Sequence, residues 1–281
     1  MLYLVIDQTN SQCGITDRIK TAVGLYWVAR RNGTGFRFIH TAGFDIRRYL
    51  VPNKVQWSAE LSDIPWFPLR KRNFAYCPPF DAVPRLRRGM DYVCKEYIGK
   101  NIMEMLEVPD WQRVWREAFH DLFSPSELVR ETLAGEDFPD RFVVVNARFI
   151  NSLGQSENVA YNSPLPPEEK DRLIDAVLAK VAWCQKESDA PVVVYSDSVA
   201  FLKAASESGF RICDPAGVGN IMNPGMSDHV KLMTFVNLYR MAGAEKIYSI
   251  LNLDGFPANS LYKTQYPRYA AIIGDRPFIR I

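Results

Sequence analysis

The chain is 281 residues long, with 34 Lys and Arg against 32 Asp and Glu and a formal net charge of +2. So balanced a charge argues against a general nucleic-acid binder, whose footprint is strongly basic. Three histidines (His40, His120 and His229) leave no helical spacing from which to build a metal cluster. The five cysteines (Cys13, Cys77, Cys94, Cys184 and Cys213) are odd in number and widely spaced, without a CxxC pair. They read as reduced thiols and point to the cytoplasm. No apolar run approaches the roughly 18 residues of a membrane span, and Met1 leads into an apolar strand with no charged leader. The length suits two domains, 1–140 and 141–281, of about 140 residues each, both able to bury a core.

The chain opens with a strand over residues 2–6, followed by a polar, glycine-containing loop over 7–14. A helix is expected over 15–31, because Ile19, Ala22, Val23, Tyr26, Trp27 and Ala29 form a continuous apolar face. A loop entering a helix amino terminus suits an anion, since free N–H groups and the helix dipole favour negative charge. An ordinary strand-to-helix turn explains it equally well, and the three glycines of a dinucleotide fingerprint are missing. A second strand is expected over 36–40. From 45 to about 101 the sequence turns irregular, proline-dotted and aromatic. Arg70, Lys71, Arg72, Arg85, Arg87 and Arg88 crowd there, with Asp81 as the only acid between Leu69 and Gly89. A solvated basic surface and a groove for an anionic or sugar ligand are both open readings.

The second half repeats strand-then-helix units. Phe142-Val143-Val144-Val145 cannot alternate in and out, so it reads as a strand buried on both faces of a parallel sheet. It runs into Asn146-Ala147-Arg148, placing Arg148 at the carboxyl end of a strand, where ligand crevices of parallel sheets open. A guanidinium fork suits phosphate oxygens. An ion pair with a surface carboxylate is the plainer alternative. Helices are expected over 171–187, 199–207, 228–242 and 267–273, with strands over 191–195, 210–213, 246–251 and 277–281. Alternating strands and helices mean right-handed crossovers and a doubly wound α/β sheet. With both halves built alike, the expected architecture is α/β, two Rossmann-like domains facing a cleft, as in the GT-B arrangement.

Four segments resemble a known superfamily, the fucosyltransferases with a His-x-Arg motif. Cys13-Gly14-Ile15-Thr16-Asp17-Arg18-Ile19 resembles the glycine-containing loop near the start of these enzymes, and Asn146-Ala147-Arg148 resembles the His-x-Arg motif. Tyr195-Ser196-Asp197-Ser198 is similar to the Ser/Thr-Asp-Asp/Ser element after the next long helix. The tail from Tyr262 to Ala271 is similar to the segment that opens a helix beneath the nucleotide diphosphate. Phe44-Asp45-Ile46, Tyr49-Leu50 and Pro52-Asn53 resemble a pattern in proteins of bacterial surface-polysaccharide loci.

The resemblance implies a metal-independent, inverting glycosyltransferase that uses GDP-fucose as donor and a glycan as acceptor, with no resident cofactor. Peripheral association with a membrane is left open. Residues implied in nucleotide-sugar binding are Gly14, Arg18, Asn146, Arg148, Ser196, Asp197, Ser198, Thr264 and Gln265. Within that set Arg148 would hold the β-phosphate and Asp197 would accept from guanine's N1–H and N2–H₂ edge. Thr264 and the N–H groups from Gln265 onward would cradle a phosphate. Catalysis would fall to Arg148, with Glu157 or Asp17 as base. Asn146 stands where the family has histidine, and Phe149-Ile150 departs from the residues that follow the motif. A non-catalytic nucleotide-sugar or glycan-binding protein on the same scaffold is therefore a second open reading.

Overall fold

The computed structural model describes residues 1–7, 14–75, 82–96, 100–135, 137–154, 164–219, 225–257 and 260–281. The chain forms two compact units, the first built mainly from Met1–Glu131 and the second from Thr132–Gly219 with Ser227–Ile281.

In the first unit, β1 (Leu2–Ile6) leads to α1 (Ile15–Arg31), followed by β2 (Phe36–His40), β3 (Leu50–Pro52), β4 (Lys71–Asn73) and β5 (Asp91–Cys94). Then come α2 (Ile102–Met105), α3 (Trp111–Leu122), β6 (Phe123–Pro125) and α4 (Glu127–Gly135). The main sheet has the order β2-β1-β5-β4, all pairs parallel, while β3 and β6 form a separate antiparallel pair. All five residues of β1 are buried, as its unbroken apolar run requires of an inner parallel strand. Helix α1 is buried on nearly every side, packed on β1, β2 and α3. Trp57 joins β2 to β6, its ring 5.7 Å from Phe38 and 5.3 Å from Phe123. The segment expected to be irregular supplies three strands. Of these, β5 is an inner strand of the main sheet, and β4 is a strand through its pairing with β5.

The second unit contains β7 (Val143–Ala147), α5 (Pro167–Lys186), β8 (Val192–Ser196), α6 (Val199–Glu207), β9 (Arg211–Ile212), α7 (Asp228–Gly243), β10 (Lys246–Ile250), α8 (Tyr266–Gly274) and β11 (Phe278–Arg280). Its sheet runs β11-β10-β7-β8-β9 and every pair is parallel. Valines 143–145 and 192–194 lie side by side at its centre, fully or nearly fully buried. Each such side chain contributes about 1.5–3 kcal/mol relative to exposure. The first strand in sequence is thus the middle strand in space. The chain builds outward through β8 and β9, then returns to the other side of β7 for β10 and β11. That reversal makes the carboxyl ends of β7 and β10 the topological switch point, where ligand crevices of such sheets open. Helix α8 packs on α7 so closely that a Cβ built at Gly274 would stand 1.8 Å from the Ala242 carbonyl oxygen. Each unit is therefore α/β with a parallel sheet, as the strand and helix pattern requires.

Candidate functional site

The carboxyl end of β7 carries the residues that matter most. Asn146, its penultimate residue, is registered against Ser249 of β10 and Tyr195 of β8. Its Nδ2 donates to the Tyr195 carbonyl at 3.4 Å, while its buried Oδ1 has no hydrogen-bond partner among the described residues. Arg148 follows the strand. Phe149 and Ile150 turn inward, Phe149 against Phe201 of α6 with ring centroids 5.0 Å apart. Because its neighbours are anchored in the core, Arg148 is left with a side chain 43% exposed.

Asp197, directly after β8, holds that turn. Its Oδ1 accepts from the Phe149 N–H and its Oδ2 from the Ile150 N–H, both at 2.8 Å. Charge-assisted bonds of this kind are about twice as strong as neutral ones. The turn needs them, because Ile150 has φ +51°, a left-handed conformation that a β-branched residue adopts only under constraint. Burial holds the Asp197 carboxyl above its ordinary value, and the two N–H groups and the Arg148 charge offset only part of that rise.

The Arg148 guanidinium itself is held loosely. Nη1 donates to Thr264 Oγ1 at 3.3 Å, and Nε lies 3.7 Å from Asp197 Oδ2, beyond hydrogen-bond length. The cation sits over the Tyr262 ring, 5.3 Å from its centroid, and the Tyr262 N–H donates to the Arg148 carbonyl at 2.7 Å. Thr264 is buried, and its Oγ1 also accepts from the Tyr266 N–H at 3.3 Å, in the first turn of α8. Gln265 occupies the cap position of α8 without a side-chain cap bond, its Oε1 accepting from Arg268 at 3.4 Å. Three sequence-expected residues, Arg148, Asp197 and Thr264, thus converge at the switch point. The arginine there is half-exposed, sits beside a helix amino terminus and is bound tightly to neither partner. Such a fork can take up an anion.

The other expected residues fall elsewhere or do other work. Ser196 Oγ accepts from the Ser198 N–H at 3.1 Å, and Ser198 Oγ caps α6 by accepting from the Phe201 N–H at 3.2 Å, so both hydroxyl oxygens serve local structure. In the first unit Arg18 is fully buried, its Nη1 2.5 Å from His40 Nε2 and 3.4 Å from the Ala42 carbonyl oxygen. The guanidinium that the resemblance directed toward the diphosphate thus lies buried beside His40. His40 Nδ1 meets the Phe44 carbonyl at 3.1 Å. Burial first, then the Arg18 charge, lowers the His40 pKa to about 3 and keeps the ring neutral. Asp17 pairs with the buried Lys20 at 2.5 Å. Gly14 is exposed with φ −64°, and a Cβ there would meet nothing within 4 Å, so its own backbone does not demand glycine. Glu157 lies outside the described residues. Among the described residues no group of three or more His, Cys, Asp and Glu could hold a metal ion. The sequence reading missed two features of the site, the Tyr262 ring under Arg148 and the strained turn that Asp197 clamps. The only signal for Tyr262 was its place two residues before Thr264.

No protein-family model and no curated protein matches the sequence. Solved structures do match its fold. A Bradyrhizobium fucosyltransferase, NodZ, superposes with a TM-score of 0.59 at 12% identity, over 96% of this chain and 92% of that one. NodZ α-1,6-fucosyltransferase soaked with GDP-fucose gives 0.58 at 12% identity, over 97% of this chain and 92% of that one. A point mutant of Arabidopsis thaliana FUT1 in complex with GDP gives 0.56 at 11% identity, over 99% of this chain and 69% of that one. This chain is therefore similar in fold to the GT-B fucosyltransferases, at a sequence distance where fold alone is shared.

Proposed function

We propose that this chain is a glycosyltransferase that binds GDP-fucose at the switch point of its second unit and transfers fucose to a glycan acceptor. The observation that carries this reading is the half-exposed Arg148, hydrogen-bonded to Thr264 between the β7 end and the amino terminus of α8. The GDP and GDP-fucose in the NodZ structures support the choice of donor. In this reading Arg148 and the first N–H groups of α8 face the diphosphate. As the acceptor hydroxyl attacks the anomeric carbon, the carbon–oxygen bond to the β-phosphate breaks and its electron pair leaves with the diphosphate. Arg148 stabilises that growing charge, usually the largest single term in such catalysis. The acceptor's proton passes to a base, for which Glu157 and Asp17 remain the candidates. The reaction is inverting and uses no metal. A place in cytoplasmic surface-polysaccharide synthesis fits the sequence pattern, and no described helix is long and apolar enough to cross a membrane.

One observation favours the second reading, a nucleotide-sugar-binding protein without turnover. Asn146 stands where the resembled family has histidine, with a side chain that cannot shuttle a proton. Turnover separates the two. GDP released from GDP-fucose only in the presence of an oligosaccharide acceptor supports transfer. Tight GDP binding without release supports the binder.

A further inference from the structure

Four of the exposed large apolar side chains among the described residues fall within residues 61–69: Leu61, Trp66, Phe67 and Leu69. Trp66 is 84% exposed and Leu69 75%, far beyond what a folded chain usually leaves wet for residues of this size. The segment is anchored at its start. Ile64 packs on the core cluster of Tyr3, Val5, Ile39 and Val93, and the Tyr3 hydroxyl donates to the Asp63 carbonyl at 3.1 Å. The apolar segment runs directly into β4, an edge strand of the sheet, which begins Lys71-Arg72. The Arg87 N–H donates to the hydroxyl of Tyr92, the residue registered opposite Arg72, bringing the 85–88 loop to the same edge. None of Arg70, Lys71, Arg72, Arg85, Arg87 or Arg88 pairs with an acid among the described residues.

Charges on an edge strand also guard against sheet-to-sheet pairing. That accounts for Lys71 and Arg72 but not for an exposed Trp-Phe-Pro-Leu run beside them. A second copy is a poor occupant, because a self-complementary contact would set this cationic edge against itself. Few exposed side chains are involved, against the roughly 800 Å² per partner of a stable interface. Tryptophan, phenylalanine and leucine flanked by unneutralised arginines match a bilayer interface, where aromatic rings sit at headgroup depth and cations meet anionic lipid. We infer that the 66–72 edge of the first unit is a membrane-surface contact that seats on anionic phospholipid. The inference rests on this surface alone and is independent of the nucleotide reading.

The test is sedimentation of the full chain with phosphatidylcholine vesicles, with and without phosphatidylglycerol, at low and high salt. The protein should pellet with the anionic vesicles only, and less so in high salt. Each charge removed by Arg70→Glu or Arg72→Glu should weaken partitioning roughly fivefold or more. Trp66→Ala combined with Leu69→Ala should also abolish pelleting, with the melting temperature unchanged because both side chains are exposed. The proposal is overturned if the wild type stays in solution, or if the patch variants pellet as it does. It is also overturned if the variants instead dissolve a dimer. Equal retention on heparin of the wild type and the Trp66→Ala, Leu69→Ala variant, without vesicle binding, would mark a polyanion contact instead.

Discussion

The two sheets end alike and use their charges differently. Both are parallel, with the first strand in sequence inside and strands added on either side. At the carboxyl edge of the first unit the described charged side chains meet partners inside the unit. Arg18 is buried against His40, Asp17 holds Lys20, and Asp7 lies 3.8 Å from Lys95. At the same edge of the second unit, the carboxylate of Asp197 goes to backbone N–H groups, and Arg148 keeps one long hydrogen bond to Thr264, a 3.7 Å approach to Asp197 and the Tyr262 ring. The two edges thus differ in what their charged side chains meet, partners inside the unit in the first and backbone amides beside a loosely held guanidinium in the second.

The contrast can be broken most sharply at Arg148. Arg148→Lys keeps the charge and removes the fork, and should cost about 10²-fold or more in turnover, near 3 kcal/mol. Arg18→Lys should change stability with little effect on turnover by the folded fraction. Equal kinetic losses in the two variants would erase the distinction.

Asp197→Ala sharpens it further. With the clamp gone, the Phe149 and Ile150 N–H groups lose their acceptor, at a cost of about 1–3 kcal/mol in stability. Misplacement of Arg148 should then weaken GDP, UDP and pyrophosphate alike, by up to about 10²-fold. Calorimetric titration of the three ligands checks this. A loss confined to GDP would mean that Asp197 reads guanine, the role the sequence resemblance implied.

Gly274→Ala tests the seating of α8. Its new Cβ would meet the Ala242 carbonyl oxygen, so helix and site must shift, at about 1–3 kcal/mol by thermal melting. An unchanged melting temperature would show that α8 is not held this way.

The remaining test belongs to the first unit. The His40 pKa is lowered from 6.5 to about 3, so its contribution to stability is complete above pH 6.5 and is lost as pH falls toward 3. Across that window stability should fall by up to about 1.4 kcal/mol per pH unit from this group. Denaturant titrations of His40→Gln should show a shallower acid slope, and an identical slope would remove His40 from the account.

Much of this was legible in the sequence, for physical reasons. An unbroken valine run can only be an inner parallel strand, and the long helices of the second unit carry their apolar faces openly. Strand β5 was not legible: Asp91 and Tyr92 are half-buried, and only pairing with β1 makes the segment a strand. Helix α3 shows Trp115, Ala118, Phe119 and Leu122 on one face, a pattern that could have been read. At the site, Arg148 and Thr264 could be nominated as strand-end and helix-start residues. The His40 partner of Arg18 lies 22 residues away and leaves no mark in the sequence. Nor could the sequence show that the Asp197 carboxylate turns to the Phe149 and Ile150 amides.

The most direct measurement of the central claim is a crystal structure of the chain soaked with GDP. The account predicts the β-phosphate at the β7–β10 switch point, with an oxygen about 2.7–2.9 Å from the Arg148 guanidinium and the phosphate facing the first turn of α8. GDP bound elsewhere, or at this point with Arg148 still turned toward Thr264 and Asp197, would contradict it.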